Sequence, residues 1–103
     1  MAFKELILSY APDADKKKHR SFIDTGKCQR FSVAVKHQVE AIEVCKEFIQ
    51  NKNIEKIALC PAFTHEDVAA ISKVAGNNIG VSVGRADGPS SIITAKGLKR
   101  ENF

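Results

Sequence analysis

The 103-residue chain has no tryptophan, a single tyrosine, a single methionine and only three prolines. No apolar run approaches the roughly 18 residues that a membrane-spanning helix needs. The opening MAFKELILSY sets Lys4 and Glu5 inside what would be the apolar stretch of a leader and offers no small-residue cleavage site. No signal peptide and a cytoplasmic location are therefore expected. Dinucleotide and phosphate-loop fingerprints are missing too: Tyr10-Ala11-Pro12-Asp13 stands where a glycine-rich turn would follow the first strand, so no cofactor is expected. The three cysteines, Cys28, Cys45 and Cys60, form no Cys-x-x-Cys pair, which excludes a zinc knuckle and a dithiol redox motif. Free thiols in a reducing compartment follow. The histidines at 19, 37 and 65 match no metal-ligand spacing, and no metal is expected.

Hydrophobic residues make up 44% of the chain and charged residues 27%, the balance of an ordinary globular domain. A single domain over residues 1–103 is expected, with 84–103 as a turn-rich tail. A compact monomer of this mass keeps about 5,700 Å² of accessible surface, against roughly 16,400 Å² unfolded, enough for a modest core. The net charge of +4 is uneven: residues 13–30 hold six Lys and Arg against three Asp, and residues 37–67 three Lys against six acids. The run Lys16-Lys17-Lys18-His19-Arg20 is flanked by Asp13, Asp15 and Asp24 with no aromatic between. It reads as a solvated helix face and argues against nucleic acid as a partner.

Apolar patterning gives four strands, Phe3–Ser9, Cys28–Val35, Lys56–Cys60 and Ile79–Val83. Three helices separate them. Residues 37–52 place Ala41, Val44, Cys45 and Phe48 on one face. Residues 65–76 start from Thr64, with Asp67 as a capping-box partner, and stop at Gly76. Residues 14–25 form the third, with Phe22 and Ile23 turned inward and Gly26 at the end. Cys28 and Cys45 read as small core hydrophobes. Strand–helix alternation predicts an α/β fold with a small, mostly parallel four-stranded sheet and three helices, flavodoxin-like or half-barrel-like.

In such sheets ligands bind beyond the carboxyl ends of the strands. The loops there bring Tyr10, His37, Cys60, His65, Arg85 and Asp87 to one rim. Thr64 caps a helix start whose free N–H groups suit an anion. Arg85 either clamps a carboxylate or phosphate or pairs with its neighbour Asp87. The 37–52 helix begins without Ser, Thr, Asp or Asn, so another loop, water or a ligand must satisfy its first N–H groups. Cys60, near a helix start and five residues before His65, is a candidate nucleophile with His65 as its base.

Ala11-Pro12-x-Ala14-Asp15, Lys18-His19-Arg20, Val39-Glu40-Ala41, Cys60-x-x-Phe63-x-His65-Glu66 and Gly80-Val81 followed by Val83-Gly84-Arg85 carry a resemblance across most of residues 4–88. The pattern resembles a small prokaryotic family of proteins of about this length, a domain of unknown function. The resemblance implies a compact α/β fold and brings no catalytic role. Pro61-Ala62 stands where other members of that family have two glycines, which stiffens the loop.

Two functions are expected from these readings. The first is a small α/β domain that holds a small anionic metabolite at the rim through Tyr10, His37, Thr64, His65, Arg85 and Asp87. The second is a small enzyme using Cys60 and His65. Self-association, most simply as a dimer, follows from a sheet with more apolar face than three helices cover and from Ile92, Ile93, Leu98 and Phe103 in the tail.

Overall fold

The structure is a computed structural model describing residues 1–103. Three helices and five strands form an α/β fold: β1 (Phe3–Tyr10), β2 (Arg20–Asp24), β3 (Cys28–Val35), α1 (Gln38–Lys52), β4 (Lys56–Leu59), α2 (His65–Ala75), β5 (Gly80–Val83) and α3 (Gly88–Arg100). The sheet order is β2-β3-β1-β4-β5, parallel throughout except for the β2–β3 pair. The four expected strands are all present, and a fifth joins them.

That fifth strand replaces the helix expected at 14–25. Residues 15–19 close a single turn instead. The Asp15 carbonyl accepts from the N–H groups of Lys18 and His19, and Asp15 N–H donates to His19 Nδ1 at 2.8 Å. The chain then extends as β2 along β3, with Phe22 opposite Phe31 and Arg20 opposite Val33. Asp24 and Gly26 build the hairpin turn: Gly26 takes a φ of 95° and donates its N–H to Asp24 Oδ1. Phe22 and Ile23 are neighbours, not partners three or four apart, so the segment has no helical stripe to bury. As strand residues they point to opposite faces, and both are exposed, Phe22 at 52% and Ile23 at 59%. The inward packing expected for them is overturned.

Both crossovers, β3 to β4 through α1 and β4 to β5 through α2, run the same way along the sheet. Right-handed connection therefore sets α1 and α2 on one face. The core lies there. Leu6 and Leu8 of β1, Val33 and Val35 of β3, and Ile57 and Leu59 of β4 point to that face and are buried with Ala41, Val44, Cys45, Phe48 and Ile71. On the opposite face short side chains, Ser32, Ala34, Ala58 and Ser82, accompany Ile7. There Glu5 accepts from Arg30 Nε at 3.2 Å and pairs with Lys56 Nζ at 3.4 Å. Cys45 is fully buried as expected, whereas Cys28, at the start of β3, is only partly covered.

The helix ends follow the sequence signals. Asn53 closes α1 in the left-handed region and Gly76 closes α2 with a φ of 78°. The tail after Gly84 is more ordered than a turn-rich tail: α3 begins with Pro89 in its first turn, where a missing N–H costs nothing. None of its residues is buried.

Candidate functional site

Four parallel strands end at Tyr10, Val35, Leu59 and Val83, and the loops beyond them gather at one rim. The β1 and β4 ends are tied across it: Cys60 N–H donates to Leu8 O, and Tyr10 N–H donates to Cys60 Sγ at 3.4 Å.

The start of α1 has a local cap. His37 is its N-cap, with Nδ1 accepting from Glu40 N–H at 3.4 Å, while Glu40 Oε1 accepts from Lys36 N–H at 2.9 Å. Histidine thus does the work of the absent Ser or Asp. At α2 the expected capping box is present. Thr64 Oγ1 accepts from Asp67 N–H, and Asp67 Oδ2 accepts from Thr64 N–H at 3.0 Å. That box uses one helix N–H and adds carboxylate charge with Glu66, which makes the α2 start a poor anion site.

Arg85 does not pair with its neighbour Asp87. The Arg85 Nη1 donates to Pro61 O at 2.9 Å and to Phe63 O at 3.1 Å, bracing the β4–α2 loop from the β5 side. Asp87 is the N-cap of α3 without a side-chain cap bond; its carbonyl accepts from Ser90 and Ser91. His65 begins α2 on the surface and makes no hydrogen bond to Cys60, whose sulfur faces Tyr10 N–H instead.

Two adjoining cavities occupy the rim and share Tyr10 and Ala62. The first, about 240 Å³, is lined by Lys36, His37, Gln38 and Asp67 together with Phe63. Gln38 Nε2 donates to Asp67 O at 3.1 Å, and Gln38 Oε1 is buried with no partner, the one side-chain polar atom so left. A buried acceptor without a donor costs roughly 1–3 kcal/mol. The second cavity, about 410 Å³, is apolar: Cys60, Pro61, Leu98 and Phe103 line it, with Ser9 and Thr94 at its edge. Phe103 stands edge-on to Tyr10, centroids 5.9 Å apart, and so roofs this end.

Of the expected rim residues, the structure brings together Tyr10, His37 and Cys60. Thr64, His65, Arg85 and Asp87 line neither cavity. Sequence reasoning missed Lys36, Gln38, Leu98 and Phe103 as lining residues. Pro89, in the first helical turn, was the signal for α3. No group of three or more His, Cys, Asp or Glu side chains comes together. No helix is long and apolar enough to cross a membrane.

The fold and rim define a small α/β protein with a mostly parallel sheet and a two-part cleft at its carboxyl edge. The chain matches the family of unknown function DUF6506 over residues 3–98 and belongs to that family. No curated protein and no solved structure matches it.

Proposed function

We propose that this chain is a small-molecule-binding α/β domain that holds an amphipathic organic anion at the rim and works as a homo-oligomer. The observation that carries the reading is the joined pair of cavities about Tyr10. One end offers the Lys36 ammonium and the His37 ring; the other offers Leu98, Phe103 and Pro61. An acidic head group would pair with the Lys36 ammonium, and an apolar body would lie against Leu98 and Phe103. The anion's partner is thus Lys36, since Arg85 is engaged with carbonyls and the α2 start is already capped.

A thermal-shift panel of carboxylated and phosphorylated metabolites, with and without apolar tails, tests this. A ligand at a hundred times its dissociation constant adds about 2.7 kcal/mol of stability. Amphipathic acids are expected to stabilise the wild type and to lose that effect in Lys36→Glu. No stabilisation across the panel sinks the reading.

Surface area favours the oligomer. The chain exposes 6882 Å², against about 5,700 Å² for a compact monomer of its mass. Its radius of gyration is 14.0 Å, where about 12.8 Å is usual for this length. Ile92 at 61% and Ile93 at 71% exposure lie on the outer side of α3. Light scattering at micromolar concentration is expected to give a multiple of 11.3 kDa; the monomer mass would refute self-association. The enzyme reading keeps Cys60, which lines the apolar cavity, but no base within hydrogen-bond reach supports it.

A further inference from the structure

The largest cavity, about 730 Å³, lies away from the rim, in the wedge between the β2–β3 hairpin and the last turns of α1. This is the size range of small-ligand sites. Three aromatic rings form its floor. Phe22 stacks on Phe31 with centroids 4.8 Å apart and planes 26° from parallel, and Phe31 meets Phe48 edge-on at 5.2 Å. Phe48 is buried, but Phe22 leaves half its surface open, so the ring face not covered by Phe31 meets solvent. A large exposed ring on an edge strand is a poor choice for mere packing.

Charge is arranged around that stack. Arg20 is fixed to Glu47, Nη1 to Oε2 at 3.0 Å, with its guanidinium 5.6 Å from the Phe48 centroid. Lys52 holds its ammonium 5.9 Å from the Phe31 centroid, and neither Lys52 nor Lys4, across the groove, pairs with a carboxylate. The amides of Gln29, Asn51 and Asn53 also line the groove, and amides both donate and accept. A flat aromatic platform, two free ammonium groups and a fringe of amides together match a planar heterocycle carrying an anionic group.

We propose that this groove binds a free nucleoside monophosphate, the base stacked on Phe22 and the phosphate drawn to Lys52 and Lys4. The site is independent of the rim cleft and shares no residue with it. A single nucleotide fits better than a strand. Only one ring face is open, and two of the nearby cations that could extend a track, Lys16 and Arg20, are held by Glu43 and Glu47.

Calorimetric titration with 5′-AMP, adenosine and inorganic phosphate tests the site. Saturable binding of 5′-AMP at about 1 mM or tighter is expected, with adenosine and phosphate each much weaker. Losing one base-stacking ring weakens binding by roughly tenfold or more, so Phe22→Ala is expected to do that and Phe22→Trp to retain it. Because Phe22 also covers Phe31, Lys52→Ala serves as a second variant on an exposed side chain; it is expected to weaken 5′-AMP and leave adenosine unchanged. Lys36→Glu, at the rim, is expected to leave 5′-AMP binding intact, which separates this site from the other. No saturable heat with 5′-AMP, equal affinity of wild type and Phe22→Ala in folded protein, or binding of an adenine oligonucleotide without the mononucleotide would each overturn the proposal.

Discussion

Arg85 spends one nitrogen on two backbone carbonyls, Pro61 O and Phe63 O, and thereby ties the end of β5 to the loop that forms the rim wall. An arginine beside an aspartate in a turn suggested a charge pair; the carbonyls of a Pro-containing loop, which have no sheet or helix N–H to accept from, proved the stronger claim on its donors. No single-sequence pattern exposes such long-range bonds. The cysteines separate by environment. Burial pushes the Cys45 thiol up to about 12, whereas Cys60 and Cys28 are partly exposed. Iodoacetamide at about pH 8, where an ordinary thiol is partly ionised, is expected to label Cys28 and Cys60 in the folded protein. Cys45 should react only after denaturation. Early labelling of Cys45 would contradict its burial.

Titration at the hairpin base gives a second outcome at this scale. The hydrogen bond from Lys16 holds the Glu43 carboxyl below its ordinary value and raises Lys16 in return, and the Lys17 backbone N–H lowers Asp15. Carboxyls lowered by folding stabilise above their ordinary range, and that contribution is lost as pH falls through the folded value. Lys16 has the opposite sign: its contribution is present below the ordinary lysine range and is lost as pH rises through the raised value. Thermal midpoints are expected to drop on acidification below about pH 4. The drop should be shallower in Asp15→Asn/Glu43→Gln. Parallel curves for variant and wild type would place the acid sensitivity elsewhere.

Among the elements, β1, β3, β4, β5, α1 and α2 were legible because each carries its own period and stop signal. Leu6 and Leu8 alternate in β1, Ala41, Val44, Cys45 and Phe48 share a face of α1, and Gly76 ends α2. The two missed elements lack such a signature. β2 is defined by its partner: Arg20–Asp24 has no buried face of its own and becomes a strand by pairing with β3 across the Gly26 turn. In α3, Gly97 in the helix interior and the scattered Ile92, Ile93 and Leu98 obscure the helical stripe. Glycine inside a helix costs roughly 0.5–1 kcal/mol relative to alanine. A Cβ at Gly97 would meet only the flexible Arg100 guanidinium at 4.0 Å. Gly97→Ala is therefore expected to stabilise α3 by about that amount, seen as slower amide exchange over 88–100. Unchanged or faster exchange would show that α3 is limited by its docking and not by its propensity.

At the scale of the molecule, one sheet face carries the core while the rim is roofed by a helix that buries none of its own residues. A roof so lightly held is suited to admit a ligand between α3 and the strand ends, since segments with few buried contacts open at low cost. Tyr10, shared by both cavities, was visible in the sequence as a residue of the loop beyond the first strand; Leu98 and Phe103 were not, because nothing local says that the tail folds back over the rim. The central claim is that an amphipathic anion occupies this cleft with its charge at Lys36. Its most direct measurement is the backbone amide ¹H–¹⁵N spectrum titrated with hexanoate, 4-phenylbutyrate and hexyl phosphate. Saturable shifts at Tyr10, Lys36, Gln38, Phe63 and Leu98 are expected in the wild type, and their loss is expected in Lys36→Glu. No shift from any of the three compounds, or shifts confined to residues outside the cleft, would contradict that claim.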